Sequence, residues 1–479
     1  MIAPLNIKWF YAIGFTYLAS LLFGIYFDNL YISLVPLAIT FSWLLIQQTK
    51  SMLFFVVFAV PLSIPVNDIG GGFGMSFPTE PILIFVVLGL ILKFIQGASF
   101  NRAFILNGLS LFIMGDLAWN FFTTLTSSMP IISLKFILSR IMYVSIFYFL
   151  FGEFFKDLKA IRLFVWLLGI SICLLAVYTI FIHSQGAFTR EYAYSAMKPF
   201  LPDHGMYAAL VAFIIPPLAV FAIWGFYLKQ SLVLRLLAAF LVLLLTVAVL
   251  LSYTRAAWLS LVASAILIVA IAMGFRFRTL LLALLAMASI YLYLKTDIQT
   301  QLSRNKQGSA DDIEAHVSSI SNVSTDPSNL ERLNRWNCAW RMFKENPMLG
   351  WGPGTYVFQY APFQVSSELT IISTHSGNLG NVHSEYLRPL CESGVIGALL
   401  WICIVLFTIF LGFRAFRISA TDERKYLALA LVSGLSTYFV HAFLNNYSEF
   451  DKLAVPMWGF MAALVALNTY SFENDLETV

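Results

Sequence analysis

Charge is scarce in this 479-residue chain: only 11% of the residues are Asp, Glu, Lys or Arg, and the formal net charge is +4. A soluble domain carries about a quarter of its residues charged. So small a positive excess also gives no basic surface for nucleic acid. Cysteine is scarce too, with Cys173, Cys338, Cys391 and Cys403 alone in the chain. None forms a CxxC pair, which excludes the usual zinc spacing. Cys338 and Cys391 are the one pair to weigh as a disulfide outside a membrane, and it is not the favoured reading. No DxD or DxxD metal–phosphate signature stands out in a long polar loop. The simpler expectation is chemistry with neither a metal nor another cofactor. No A-x-A-like cleavage site follows the first apolar stretch, which reads as a retained helix.

What is abundant is apolar surface. Hydrophobic residues make up 59% of the chain, aromatic residues 16%, and there are 45 phenylalanines. A membrane span needs about 20 mainly apolar residues. Candidates lie near 9–26, 30–47, 51–66, 80–96, 104–122, 130–151, 161–182, 205–227, 232–252, 255–273, 278–294, 392–413, 426–444 and 453–470. The run at 51–66 is short enough to be re-entrant. The expected fold is an all-α polytopic transmembrane bundle of about 12–14 spans.

Basic residues orient it. Lys50, Lys93 with Arg102, Lys156 with Lys159 and Arg162, Lys229 with Arg235, Arg276 with Arg278, and Arg414 with Arg417, Arg424 and Lys425 occupy alternate gaps. The positive-inside rule puts those gaps and both termini in the cytoplasm. The larger loops then fall outside, at 183–204 and about 295–391. The expected organisation is a transmembrane bundle over 1–294, an external segment over 295–391, and C-terminal spans over 392–479.

Within the external segment, "SNLERLNRWNCAWRMFKENP" reads as a helix. Ser328 with Glu331 fits a capping box, and Pro347 lies just beyond the end. Leu333, Trp336, Trp340 and Phe343 recur at helical spacing and are expected to pack on the bundle. "GWGPGTY" (350–356) is a turn that brings backbone close to something, and "ESGVIG" (392–397) lets a helix start pack tightly. Between them stands His383, the group in this region that titrates near neutral pH. Glu385 could orient it or pair with Arg388; both readings stay open. Arg190 lies in the external loop 183–204, and Arg255, Arg140 and Lys135 lie near the outer ends of spans. Several cations on one face, without a matching carboxylate cluster in the spans, suggest an anionic ligand, and arginine's planar fork suits phosphate. Glu80, Asp116, Glu449, Asp451 and His441 read as boundary residues, and His375 as a loop residue. His183, His204 and His316 have no partner visible in the sequence.

The run "RLNRWNCAWRMFKENPMLGWGPGTY", followed by "HSEYLRPLCESGVIGALLW", resembles the hallmark region of the O-antigen ligase and polymerase superfamily. "SYTRAAWLSL" is similar to its arginine segment before a span, and Arg190 with "PDHGMYAALVAF" to its external-loop arginine. The resemblance covers about 185–400, and one departure is Ser384 where the family often has Asn. It implies a C-type inner-membrane glycosyltransferase with its active site facing the periplasm. The donor would be a glycan on undecaprenyl pyrophosphate, the acceptor the lipid A core or a lipid-linked glycan, with membrane lipids around and no nucleic acid. His383 would be catalytic. Arg190 and Arg255 would bind pyrophosphate, with Arg332 and Arg388 as further substrate-side positions and no metal. The reading leans to ligase over polymerase. A polysaccharide flippase would need cations in a central cavity and no large external segment. An assembly subunit would leave the arginines without a use.

Overall fold

The computed structural model describes residues 48–66, 74–97, 99–283, 327–370, 373 and 380–470, with isolated positions at 16, 19, 20, 285, 286 and 289. The span expected at 30–47, that at 9–26 apart from its three isolated positions, about half of 278–294, and His316 and His375 lie outside the described residues.

The remaining apolar runs are helices. They are α1 (Thr49–Ala59), α2 (Thr79–Ile95), α3 (Gly108–Leu125), α4 (Pro130–Phe154), α5 (Leu158–Gln185), α6 (His204–Trp224), α7 (Leu232–Leu251), α8 (Arg255–Ala272), α9 (Pro327–Glu345), α10 (Leu387–Glu392), α11 (Gly394–Ile418), α12 (Asp422–His441) and α13 (Asp451–Thr469). Seven of these described helices are long and apolar enough to cross a membrane: α4 to α8, α11 and α13. The chain is an all-α, multi-pass membrane protein. Polar residues just ahead of the apolar runs start the helices. Asp157 accepts from Lys159 N at 2.8 Å, Asp203 from Met206 N at 2.8 Å, and Ser231 from Leu234 N at 3.3 Å. Each satisfies a donor that the first helical turn leaves free.

Helices α6, α12 and α13 form the centre and are buried almost throughout. Helices α7 and α8 lie outside and present Val233, Phe240, Leu243, Val262 and Ile266 to the surroundings, as lipid contact requires. The run at 51–66 does not span as one helix. It ends in a short antiparallel hairpin, Ile64–Val66 against Met75–Phe77, which returns the chain into α2.

Three of the basic gaps meet. Glu423 at the start of α12 pairs with both Arg162 and Lys229. Tyr426, one turn on, stacks on Trp224 and Tyr227 at 5.6 and 5.0 Å. Helix α9 and the segments 346–370 and 380–393 gather elsewhere, around a small second core of Cys338, Ala339, Met342, Tyr356, Tyr360, Val382 and Cys391. Both cysteines there are free.

Helix α9 forms where expected, but with a different inner face. Cys338, Ala339 and Met342 are buried, while Trp340 is 47% exposed. The side chain of Ser328, the other half of the expected capping box, lies outside the described residues, and Glu331 is bound elsewhere. Its carboxylate accepts from Arg335 Nε at 2.6 Å, from Thr370 Oγ1 at 2.8 Å, and from Ser373.

Candidate active site

The site is built on a clamp between two glycine-containing segments. Trp351 N donates to Cys391 O at 3.0 Å, Gly352 N to Glu392 O at 2.8 Å, and Val395 N to Pro347 O at 2.9 Å. Gly350 (φ +67°) and Gly394 (φ +70°) make this approach possible. A Cβ on the first would lie 2.3 Å from the Glu392 carbonyl carbon, and on the second 2.1 Å from Met348 O. Both glycines also occupy the left-handed region. The buried Glu392 carboxylate then accepts from Gly354 N at 2.9 Å and Tyr356 N at 3.0 Å, so it holds the turn shut. Burial pushes Glu392 up to about 7, opposed by the Arg388 charge and these two N–H groups.

His383 emerges from this clamp with φ +56°, a left-handed backbone costly for a side chain with a Cβ. The surroundings enforce it. Trp336 on α9 donates its indole N–H to His383 O at 3.2 Å. Arg332, one turn earlier on the same helix, donates from Nε to Leu444 O at 3.3 Å. Its charge lies within electrostatic reach of His204, His383 and His441, and of the Tyr447 hydroxyl. Burial, then the Arg332 charge, pull His383 down to about 4, against a hydrogen bond that the ring donates to Asn445. The ring is therefore neutral at pH 7 and holds a free lone pair.

Arg190 approaches from another loop. Its Nε donates to Tyr194 Oη at 3.2 Å, and the Tyr194 ring meets His204 edge-on at 4.4 Å. Both Arg190 and Arg332 act electrostatically on His204. Arg255 opens α8, directly after Thr254, whose hydroxyl reaches His204 O at 3.5 Å. His204 is thus the meeting point of three segments that carry arginines. His183, without a visible partner in the sequence, bonds through Nε2 to Thr189 O at 2.8 Å.

Arg388 is placed differently from the other arginines. It is 5% exposed and pairs with Glu385 at 3.6 Å, Glu392 at 3.7 Å, and Glu449. Three carboxylates neutralise its charge, and the side chain is buried among them. Glu385 likewise turns from His383. It accepts from Tyr438 Oη at 2.8 Å and Ser448 N at 2.7 Å.

The loop 441–450 was read only as a boundary, and it supplies much of the site. Asn445 bonds His441, Asn446 bonds Asn381, Tyr447 bonds Asp203, Ser448 bonds Glu385, and Glu449 bonds Arg388. The signal was present as "NNYSE", five consecutive polar or amphipathic residues between two apolar helices. Asp116 is not a boundary residue, whereas Asp451 does open α13 but is buried there. Asp116, 2% exposed within α3, pairs with Arg140 at 2.8 Å; Asp451 and Lys452 are buried together with Ser63. Carboxylates do therefore gather inside the bundle, each against a cation.

Residues 239–402 match the family model Wzy_C, described as O-antigen ligase. Over this stretch, about a third of the chain, the protein is similar to the O-antigen ligase and polymerase superfamily. The matched stretch holds Arg255, Arg332, His383, Arg388 and Glu392, while Arg190 and the NNYSE loop lie outside it. No curated protein matches the chain. The superfamily's members are glycosyltransferase-like membrane enzymes that handle lipid-linked glycans. The ligase-family stretch therefore coincides with the glycine clamp and the histidine it presents.

Proposed function

We propose that this protein is an O-antigen ligase: an inverting, metal-independent glycosyltransferase of the bacterial inner membrane, with its active site on the periplasmic face. It moves a glycan from undecaprenyl pyrophosphate to the sugar core of lipid A. The observation that supports this reading most is the neutral histidine, His383, set beside Arg332 in a cluster that Arg190 and Arg255 also approach.

The chemistry follows from the charges. A hydroxyl oxygen of the acceptor sugar attacks the anomeric carbon. The bond from that carbon to the pyrophosphate oxygen breaks, and its electron pair leaves on the lipid pyrophosphate. Arg190, Arg255 and Arg332 hold the anion and neutralise its developing charge. The hydroxyl proton passes to the free nitrogen of His383; a base so placed contributes about 10²–10⁴-fold. Attack opposite the leaving group inverts the anomeric configuration. Arg388 acts from beneath, holding the NNYSE loop and the glycine clamp in register.

A strain lacking the gene, complemented with wild type or His383→Ala at equal membrane levels, tests the assignment. Core-only lipopolysaccharide, with long glycan retained on the carrier, is the ligase outcome. Core carrying a single repeat unit is the polymerase outcome. A normal ladder with His383→Ala removes His383 from the chemistry.

A further inference from the structure

Two stretches far apart in the chain run side by side at this site. Glu385 N donates to Ala442 O at 2.9 Å, Asn446 Nδ2 to Asn381 Oδ1 at 2.6 Å, and Ser448 N to Glu385 Oε1 at 2.7 Å. Asn445 lies in the middle of this zip and is 5% exposed. Its Nδ2 lies 2.9 Å from Nε2 of His441, and the same side chain bonds the ring of His383. Arg332 fixes the preceding residue by its bond to Leu444 O at 3.3 Å.

The polarity of this chain of bonds is determined by its middle member. An amide donates only through nitrogen and accepts only through oxygen. Nδ2 is directed at His441, while the bond to His383 favours the protonated ring, so His383 donates an N–H there and Oδ1 accepts it. His441 Nε2 accepts, so its proton resides on Nδ1, which has no hydrogen-bond partner among the described residues. The chain ends at that buried N–H. It therefore sets tautomers and does not carry a proton away.

We propose that Asn445, oriented by His441, is a positioning residue that fixes the tautomer and ring direction of His383. This rests on reading His383 as the proton acceptor of glycan transfer. A neutral imidazole has one donor and one acceptor nitrogen. Tying the donor to Oδ1 of Asn445 leaves the other nitrogen's lone pair for the acceptor hydroxyl. An amide does this without adding a negative charge next to a pyrophosphate site. The other groups facing the ring are Arg332, Arg335 and Glu331 from α9, with Trp336 on its carbonyl. Glu385, two residues on, is turned to Tyr438, Ser448 and Arg388.

The test uses the full-length protein in lipid nanodiscs. Diethylpyrocarbonate modifies neutral imidazole, and mass spectrometry follows its reaction at His383 as a function of pH. Asn445→Asp replaces the amide by a carboxylate on the same N–H and should move the His383 midpoint up by about one pH unit or more. An unchanged midpoint overturns the proposal. In transfer assays, Asn445→Leu should lower kcat about tenfold or more while the donor KM stays within about twofold, and a wild-type kcat overturns it. If Asn445→Asp does not fold, His441→Gln and His441→Leu decide with Asn445 left in place. Gln can still accept from Nδ2 and should keep turnover, whereas Leu should lose it; equal turnovers reject the arrangement. The modification assay needs no substrate. A shifted midpoint in a protein without transfer activity would keep the positioning role and reject the ligase reading instead.

Discussion

Trp336 holds the backbone of His383: its indole N–H donates to the His383 carbonyl oxygen at 3.2 Å, across 47 residues of sequence. The bond matters because His383 sits at φ +56°. A residue there keeps that conformation only where its surroundings over-determine it. Trp336→Phe preserves an aromatic ring and removes only the donor. One net hydrogen bond is worth about 0.5–1.5 kcal/mol, so transfer should fall roughly three- to tenfold with the fold retained. Turnover and size-exclusion behaviour in detergent check this; full activity would mean the clamp holds His383 unaided.

Arg332 controls when His383 can hold a proton. Its cation disfavours the imidazolium, and removing it lets the ring move from about 4 back toward 6.5. Arg332→Gln should therefore shift the acidic limb of the pH–rate profile upward while lowering donor affinity. Inorganic pyrophosphate, by neutralising the same cation, should raise the His383 modification midpoint in the wild type and not in Arg332→Gln. Equal responses in both proteins would place the anion away from Arg332.

The same shift predicts an acid instability with a defined sign. Folded His383 binds its proton only near pH 4, whereas an unfolded histidine binds it near 6.5. Between those values the unfolded chain holds more protons, so stability falls as pH drops. This contribution is fully present above about 6.5 and lost by about 4. Thermal unfolding of wild type and His383→Asn across that window measures it. The variant should have the flatter profile, and parallel curves would assign the acid sensitivity to other groups.

Much of this was legible in the sequence because the bilayer imposes a strong pattern. Most of the apolar runs legible by length alone within the described residues are helices, and three of the basic gaps meet. The glycine turn and ESGVIG were read correctly as close-approach segments, though not as each other's partner. What was not legible was long-range pairing. Arg140 reads as a lone cation until Asp116 is known to lie against it. Arg388 reads as an anion-binding arginine until Glu385, Glu392 and Glu449 surround it. The NNYSE loop was passed over because each residue finds its partner on a different segment, and no local spacing records that.

Glu392 is the keystone of the glycine clamp. Two backbone N–H groups and Arg388 converge on its buried carboxylate. Glu392→Ala strands all three donors, and removing one member of a buried pair costs about 3–5 kcal/mol. Glu392→Gln retains one acceptor oxygen and should be milder. Thermal unfolding in detergent should rank wild type above Gln and Gln above Ala. If Ala matched wild type, the close backbone contacts at Gly350 and Gly394 would be sufficient by themselves.

The pair Asp116–Arg140 separates structural from functional charge within the spans. Arg140 Nη2 lies 2.8 Å and Nε 3.0 Å from Asp116 Oδ2, and Asn120 Nδ2 lies 3.0 Å from Oδ1. The guanidinium also packs near the rings of Trp401 and Trp458, at 5.8 and 5.6 Å. A cation so enclosed in an apolar bundle depends on its counter-charge. Asp116→Leu should leave Arg140 uncompensated and cost about 3–5 kcal/mol, and Arg140→Met should strand Asp116 at a similar cost. The double variant removes both charges, so its loss should be well below the sum of the singles, as for any coupled pair. Its transfer activity should then approach wild type, because among the described residues neither side chain bonds the His383 cluster, and Arg140 acts on Glu449 only through its charge. If the double variant were stable but inactive, Arg140 would belong to the substrate-binding cations, and the bundle interior would be part of the donor's path.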